Sequence, residues 1–266
     1  MSIISHAVDA HAHIIGPVDQ YPLAGDRVYT PELASLEAYE ALLERLGIER
    51  GVIVQPSFYG NDNRCTMDAV ARMKDRGRAI VAVDKSVSSS ELSALRKGGA
   101  VGLRVNHLQW GALDSAQLKH FHALATPQGL HLQLFQPPTV WAPMLPALMA
   151  CSTSLVIDHL GTIPAAWGAE HPQFKAVLQL IEAGAWIKIS GFYRISTHPT
   201  YADVRPMVEA VVQSAPDRCV WGSDWPHTQM ETVPDTDLLL NVVREWLDPA
   251  QLQRVLVDNP SRLYWA

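Results

Sequence analysis

The stretch "VDAHAH" (Val8–His13) places two histidines two residues apart in a β-rich run near the start of the chain. Residues i and i+2 of a strand share one face, so His11 and His13 can converge on a single point. The same spacing recurs in "KHFH", at His120 and His122, but inside a helical pattern. Successive helical residues rotate by ~100°, which sets that second pair about 200° apart and keeps it from meeting one ligand. Whether His11 and His13 carry chemistry therefore depends on the fold to which their strand belongs.

Seven more apolar, β-rich runs follow: "GVIVQPS" (51–57), "AIVAVD" (79–84), "AVGLRVN" (100–106), "HLQLFQ" (131–136), "SLVIDH" (154–159), "WIKIS" (186–190) and "CVWGSD" (219–224), after the first at 6–13. They are nearly continuous in apolar character, as expected of parallel strands covered on both faces. Helical patterns separate them. In "TPELASLEAYEALLERLG" (30–47) the spacing predicts a helix capped by Thr30, with Pro31 in its first position and Gly47 as its stop. Its apolar stripe is Leu33, Leu36, Tyr39, Leu43 and Leu46. Asp114 and Gln117 stand in capping-box spacing ahead of another. Further helices fit 62–76, 90–97, 139–150, 172–184, 200–214 and 237–247. Eight strand-then-helix units predict a (β/α)8 TIM barrel occupying residues 1–266 as a single α/β domain. The competing doubly wound sheet lacks its usual Gly-rich turn after the first strand.

Composition narrows the function. The chain has 266 residues, 48 % of them hydrophobic, and a net charge of −6, which supports one large core and disfavours nucleic acid as a partner. Its three cysteines (Cys65, Cys151, Cys219) are scattered and follow no metal or disulfide spacing, as suits a reducing cytoplasm. "MSIISHAVDAH" does not read as a signal peptide, and no run reaches the ~18 apolar residues of a membrane span. The expectation is a cytoplasmic enzyme with a small-molecule partner, no nucleic acid and no membrane; a homo-oligomer is left open.

Barrel active sites form at the C-terminal strand ends. The polar residues there are His11 and His13, Gln55 and Ser57, Asp84 and Lys85, Arg104 and Asn106, Gln133 and Gln136, Asp158 and His159, Lys188 and Ser190, and Asp224. Asp158 alternates with His159 and is expected to point the other way, either toward the helices or as a group standing behind the site. Lys188 either faces the barrel interior or pairs with an acid.

In seven ordered motifs the chain resembles the amidohydrolase superfamily, in its amidohydrolase 2 branch, and is similar to 2-pyrone-4,6-dicarboxylate lactonase and related sugar lactonases. The motifs are "VDAHAHI" (8–14), "RVYTPE" (27–32), "GVIVQPSFYGNDN" (51–63), "GLRVN" (102–106), "IDHLG" (157–161), "IKISGFYRIS" (187–196) and "WGSDWPH" (221–227). The resemblance implies hydrolysis of a small anionic lactone. Asp224 would take a proton from the attacking water, and His11, His13 and His159 would polarise the carbonyl, directly or through a metal. Arg104, Arg194, Tyr29 and Ser57 match carboxylate-binding positions. Such roles suit the chemistry: water needs a base, the oxyanion needs positive charge, and a guanidinium fits a carboxylate. Asn106, His107, Trp110 and His227 are candidate substrate contacts on the loops at the same end.

Two departures bear on the substrate and the cofactor. Trp110 and Thr162 stand where the pyrone dicarboxylate lactonases carry arginines, which favours a less charged or differently shaped lactone. Strands 4 and 5 offer Arg104 and Gln133 or Gln136 in place of the bridging lysine and histidine of binuclear amidohydrolases. Arg104 close to the site disfavours a cation, so the expectation is that no cofactor is required or that the chemistry depends only weakly on one; the alternative is that His11, His13, His159 and Asp224 hold a single divalent metal such as zinc. The alternatives are a mononuclear zinc-dependent sugar-lactone hydrolase, a decarboxylase of the same superfamily, or a barrel that binds an acidic metabolite without turning it over.

Overall fold

The computed structural model describes residues 6–266. Eight strands run β1 Val8–Ala12, β2 Arg50–Val54, β3 Gly77–Val81, β4 Ala100–Asn106, β5 His131–Phe135, β6 Leu155–Ile157, β7 Trp186–Ile189 and β8 Cys219–Trp221. They pair in parallel and in sequence order. The sheet closes where β1 meets the segment after β8: Asp224 N–H donates to His11 O (2.8 Å) and His13 N–H to Trp225 O (2.8 Å). This is the expected (β/α)8 barrel.

Its helices are α1 Leu36–Leu46, α2 Arg64–Met73, α3 Ser89–Lys97, α4 His107–Trp110, α5 Ser115–Ala125, α6 Trp141–Met149, α7 Pro172–Glu182, α8 Phe192–Ile195, α9 Arg205–Ser214, α10 Thr236–Trp246, α11 Pro249–Gln253 and α12 Asn259–Tyr264. None among the described residues is long and apolar enough to cross a membrane. The capping box of Asp114 and Gln117 forms at the start of α5, and Gly47 ends α1 in the left-handed region.

The start of α1 differs from the expectation. Ala34 exchanges two backbone hydrogen bonds with Ile15 (2.8 and 3.0 Å), which holds the chain extended. The helix therefore starts after Ser35, whose hydroxyl accepts from Ala38 N–H, and Thr30 is no cap. Leu33 is left outside the stripe and exposed. The segments at 62–76 and 200–214 are likewise shorter as α-helix, at Arg64–Met73 and Arg205–Ser214.

The barrel interior has two storeys. Val8, Ala10, Val52, Val54, Ile80, Val156 and Val220 fill the lower one, and Tyr264 of α12 joins them from below. Above this apolar floor the inward side chains are polar: Arg104, Gln133, Asp158, Lys188 and the first histidines, all buried. Burying such groups is costly unless each finds a partner, so their pairing defines the site.

Candidate active site

Strand parity alone would place Val8 and Ala10 inside and send His11 outward. A bulge corrects this. Between Asp9 and Ala12 the pairing with β2 slips by one residue, since Asp9 faces Gly51 while Ala12 faces Ile53. After the slip, His11 and His13 enter the interior and Ala12 packs with the outer core. Asp9 fills the bulge. Its buried carboxylate accepts from His11 N–H (3.1 Å), Ser223 N–H (2.8 Å), Ser223 O–H (2.6 Å) and Tyr39 O–H (3.1 Å), tying β1 to the end of β8 and to α1. Burial pushes this carboxyl up to about 6 despite those donors. Gly222 lets the strands approach: a Cβ there would stand 2.7 Å from His11 Cβ.

His159 reaches the site by a different route. β6 ends at Ile157, and His159 follows with φ +50°, so strand alternation no longer governs it. Its ring lies against Gly191, where a Cβ would come within 2.8 Å of the imidazole and the backbone sits at φ +64°. Asp224 is also left-handed, at φ +60°. These conformations are sparsely populated for non-glycine residues and collect at functional sites.

The four residues converge. His11 Nε2 and His13 Nε2 each lie 3.6 Å from Asp224 Oδ1, and His159 Nε2 lies 3.7 Å from Asp224 Oδ2. Oδ2 is occupied: it accepts from Tyr193 O–H (2.6 Å) and Arg194 Nε (2.7 Å). Among the described residues Oδ1 has no hydrogen-bond partner, nor does His11 Nε2. Burial alone would raise the Asp224 carboxyl. The nearby Arg194, His159 and His13 outweigh it and hold the group well below the usual carboxylate range. Burial pushes His159 down to about 4, and lowers His13 and, together with Lys188, His11. The cluster is a carboxylate ringed by neutral imidazoles.

Its proton bookkeeping is informative. His13 Nδ1 sits 2.7 Å from Val54 O, which can only accept, so Nδ1 carries the hydrogen and Nε2 a lone pair. That lone pair and Asp224 Oδ1 face each other at 3.6 Å. Converging acceptors repel unless something positive lies among them. Among the described residues two groups bring ligand-type atoms close enough for one cation, His11 with His13 and Asp224, and His11 with Asp158 and His159; three of these residues are braced from behind, as metal ligands are: His13 by Val54, His159 by Ser190 Oγ (2.8 Å), Asp224 by Tyr193 and Arg194. This is a candidate His/Asp metal site.

The remaining expected residues divide. Arg104 points into the barrel, donates from Nη1 to Gln55 O (2.7 Å) and lies over the Phe135 ring. Arg194 is committed first to Asp224, with Nη2 near Thr228 O (3.4 Å), and its side chain remains 16 % exposed toward the mouth. Tyr29 O–H pairs with Thr228 Oγ1 (3.1 Å), and its hydroxyl lies within the influence of Arg104, Arg194 and Ser57. Tyr29 thus stands near Arg104, Arg194 and Ser57. Asn106 caps α4, and His107 is held by Phe135 O (3.0 Å). His227 is buried against Thr236 Oγ1 (2.8 Å) and the Tyr193 ring, and burial takes it down to about 4. The Trp110 ring lies near Phe121 and Lys85, on the outer layer. His120 and His122 stay on α5, as their spacing requires.

Of the two places expected for Asp158, the structure shows the one behind the site: it does not face the helices. Val156 is inside, so two residues on Asp158 is inside too, and it is His159 that leaves the alternation. Asp158 lies 3.4 Å from His11 Nδ1 and 3.5 Å from Lys188 Nζ. Lys188 is both interior and acid-paired. Sequence reasoning also passed over Asp9, Tyr193 and Ser223. The "D-x-H" spacing and the Tyr beside Arg194 were the available signals, but neither says which oxygen each residue would touch.

The family model described as Amidohydrolase (Amidohydro_2) matches residues 8–265. The chain belongs to the Amidohydro_2 family. Among curated relatives, 4-sulfomuconolactone hydrolase of Rhizobium radiobacter is 37 % identical, with 97 % of this chain and 89 % of that protein covered. The 2-pyrone-4,6-dicarboxylate hydrolase of Comamonas testosteroni is 33 % identical, with 97 % and 90 % covered. A solved Acinetobacter baumannii structure, described as a probable 2-pyrone-4,6-dicarboxylic acid hydrolase with citric acid bound, superposes with a TM-score of 0.86 at 27 % identity, covering 98 % of this chain and all of that one. These two curated relatives are lactone hydrolases by name, and that supports a lactonase reading here.

Proposed function

We propose that this Amidohydro_2 chain hydrolyses the ester bond of a small anionic lactone. The observation that carries the reading is Asp224: an ionised, buried carboxylate with one oxygen fixed by Tyr193 and Arg194 and the other free among three neutral imidazoles. Its free Oδ1 accepts a proton from water as the water oxygen bonds to the lactone carbonyl carbon. The ring C–O bond then breaks, and the same proton passes from Asp224 to the departing alkoxide, giving a hydroxy acid. A divalent cation held by His11, His13, His159 and Asp224 would supply positive charge at the carbonyl oxygen and at the attacking water. His13, with its lone pair toward the cluster, suits that arrangement better than donation to an oxyanion.

Arg104 and the open part of Arg194, with Tyr29 and Ser57, form the wall that receives the substrate's anionic group; the citric acid in the Acinetobacter relative is in keeping with an anion-binding barrel. The second arginine positions are Trp110 and Thr162. Thr162 Oγ1 donates to Gln136 O (2.6 Å), so its hydroxyl is already used. Each missing charge-assisted bond is worth roughly 1.5–3 kcal/mol, which favours a muconolactone-type substrate over the pyrone dicarboxylate. The test is a panel of muconolactones, sugar lactones and pyrone carboxylates, assayed with and without chelator, beside the metal content of protein purified without added metal. Chelator-sensitive opening of an anionic muconolactone and about one metal per chain are expected. Inertness toward every lactone would overturn the reading.

A further inference from the structure

Tyr29 and Arg194 come from different parts of the chain. Tyr29 lies in the irregular segment between β1 and α1, and Arg194 lies in α8, after β7. One residue touches both. Thr228, on the segment after β8, pairs through Oγ1 with Tyr29 O–H (3.1 Å), and its carbonyl oxygen accepts from Arg194 Nη2 (3.4 Å). Its side chain is half-buried. The residues on either side of it, His227 (φ +63°) and Gln229 (φ +70°), are left-handed without being glycine. Such conformations persist only where the surroundings hold them, and they collect at ligand clamps. Here the holding group is Thr236 at the start of α10, whose hydroxyl stands 2.8 Å from the buried His227 Nε2.

These contacts divide the hydrogen-bonding groups of each partner. Arg194 gives Nε to Asp224 Oδ2 (2.7 Å) and one Nη2 hydrogen to Thr228 O. Nε and Nη2 share one edge of the planar guanidinium, so Asp224 and Thr228 take that edge between them. The end-on pair, Nη1 with the second Nη2 hydrogen, has no partner among the described residues. An oxyanion with two oxygens fits that pair bidentately. Tyr29 has one hydrogen to give. When it gives it to an anion, its oxygen is left to accept, and Thr228 Oγ1–H stands in place to donate to it. In the chain Thr228 O–H to Tyr29 O–H to anion, each bond polarises the next.

We propose that Thr228 is a positioning residue: anchored on Arg194 through its carbonyl, it backs the Tyr29 hydroxyl as a donor and so sets Tyr29 and Arg194 on the same anionic group. Thr228 itself does not touch the anion. The inference rests on the reading that Tyr29 and Arg194 receive the substrate's anionic group.

The experiment is calorimetric titration of the full chain with citrate, the acid bound in the Acinetobacter relative. The proteins are wild type, Thr228→Val, Thr228→Ser, Tyr29→Phe and the double variant Thr228→Val with Tyr29→Phe. Saturable binding by the wild type is expected. Thr228→Val keeps the shape and loses the hydroxyl, so affinity is expected to fall about five- to tenfold, the worth of one neutral hydrogen bond. Thr228→Ser keeps the hydroxyl and is expected to stay within about twofold of wild type. In the Tyr29→Phe background the valine is expected to cost less than about twofold, because the hydroxyl it would have backed is gone. Melting curves check that each variant is folded, and Thr228→Ala replaces the valine if that variant is not. Three results would each overturn the proposal: no saturable citrate binding by the wild type, a Thr228→Val affinity equal to wild type, or an equal loss in both backgrounds, which is what a merely structural role gives. Citrate binding needs no turnover. A chain inert toward the lactone panel can still show the coupling, and an active lactonase can lack it, so the two readings fail separately.

Discussion

Replacing Asp224 with Asn keeps the shape of the side chain and removes its charge. The amide oxygen can still accept from Tyr193 and Arg194, which now sit at 2.6 and 2.7 Å from Oδ2. Two charge-assisted bonds become ordinary ones, a loss of about 1 kcal/mol each. For a chain of this size, about 2 kcal/mol lowers the melting temperature by roughly 4–8 °C, so the variant remains folded. The kinetic effect is much larger. An amide in place of Oδ1 cannot take the proton of water, and general-base catalysis contributes about 10²–10⁴-fold, or about 3–5 kcal/mol of barrier. The assay is steady-state hydrolysis of whichever lactone the panel identifies, beside calorimetric melting. The expected result is a hundredfold or greater fall in kcat with a modest change in KM. A folded Asp224→Asn enzyme that keeps kcat/KM within tenfold of wild type would refute the assignment of Asp224 as the base.

Tyr193→Phe removes one of the two donors that stabilise ionised Asp224; the acid limb of the kcat/KM profile is expected to move to higher pH, with activity down by about tenfold or more, in line with roughly 1.5–3 kcal/mol for a hydrogen bond to a charge. Asp9→Ala strips the bulge of its acceptor and strands the amides of His11 and Ser223, at about 1–3 kcal/mol for each; calorimetry is expected to show a loss of several kcal/mol, and an unchanged melting point would refute the role given to the bulge. Stability should fall in acid. Burial holds His159 and His227 down to about 4 and His131 down to about 3, from 6.5, so below pH 6.5 the unfolded chain binds protons that the folded chain refuses. Asp9, raised from 3.8 to about 6, acts in the opposite sense but is a single group. The net proton excess lies with the unfolded state, so the melting temperature is expected to drop as pH goes from 6.5 to 4, at roughly 1.4 kcal/mol per pH unit for each net proton. A flat profile over that window would contradict it.

Much of this was legible in the chain. Eight apolar runs separated by helical periods define the barrel because a parallel strand covered on both faces must be apolar throughout, and that pattern is local. The polar strand ends marked the mouth for the same reason: a polar residue closing an apolar strand needs a purpose. Among those strand ends the family resemblance singled out His11, His13, His159 and Asp224, and they do converge. The start of α1 was not legible, because Ser35 prevails over Thr30 only through the pairing of Ala34 with Ile15, across nineteen positions of sequence.

The sequence by itself determined the repeating architecture and the chemical inventory of the mouth. Both follow from short-range periodicity and residue type. Only the tertiary structure decided which way the key side chains turn. A one-residue slip in the pairing of β1 brings His11 inward, and a left-handed turn at His159 frees it from strand alternation, leaving Asp158 inside with Lys188. Alternation is a rule of two, and one extra residue or one positive φ reverses it. Those reversals are held by partners far away in sequence, Ser223 for Asp9 and Gly191 for His159, so no local reading of "VDAHAH" or "IDHLG" could supply them.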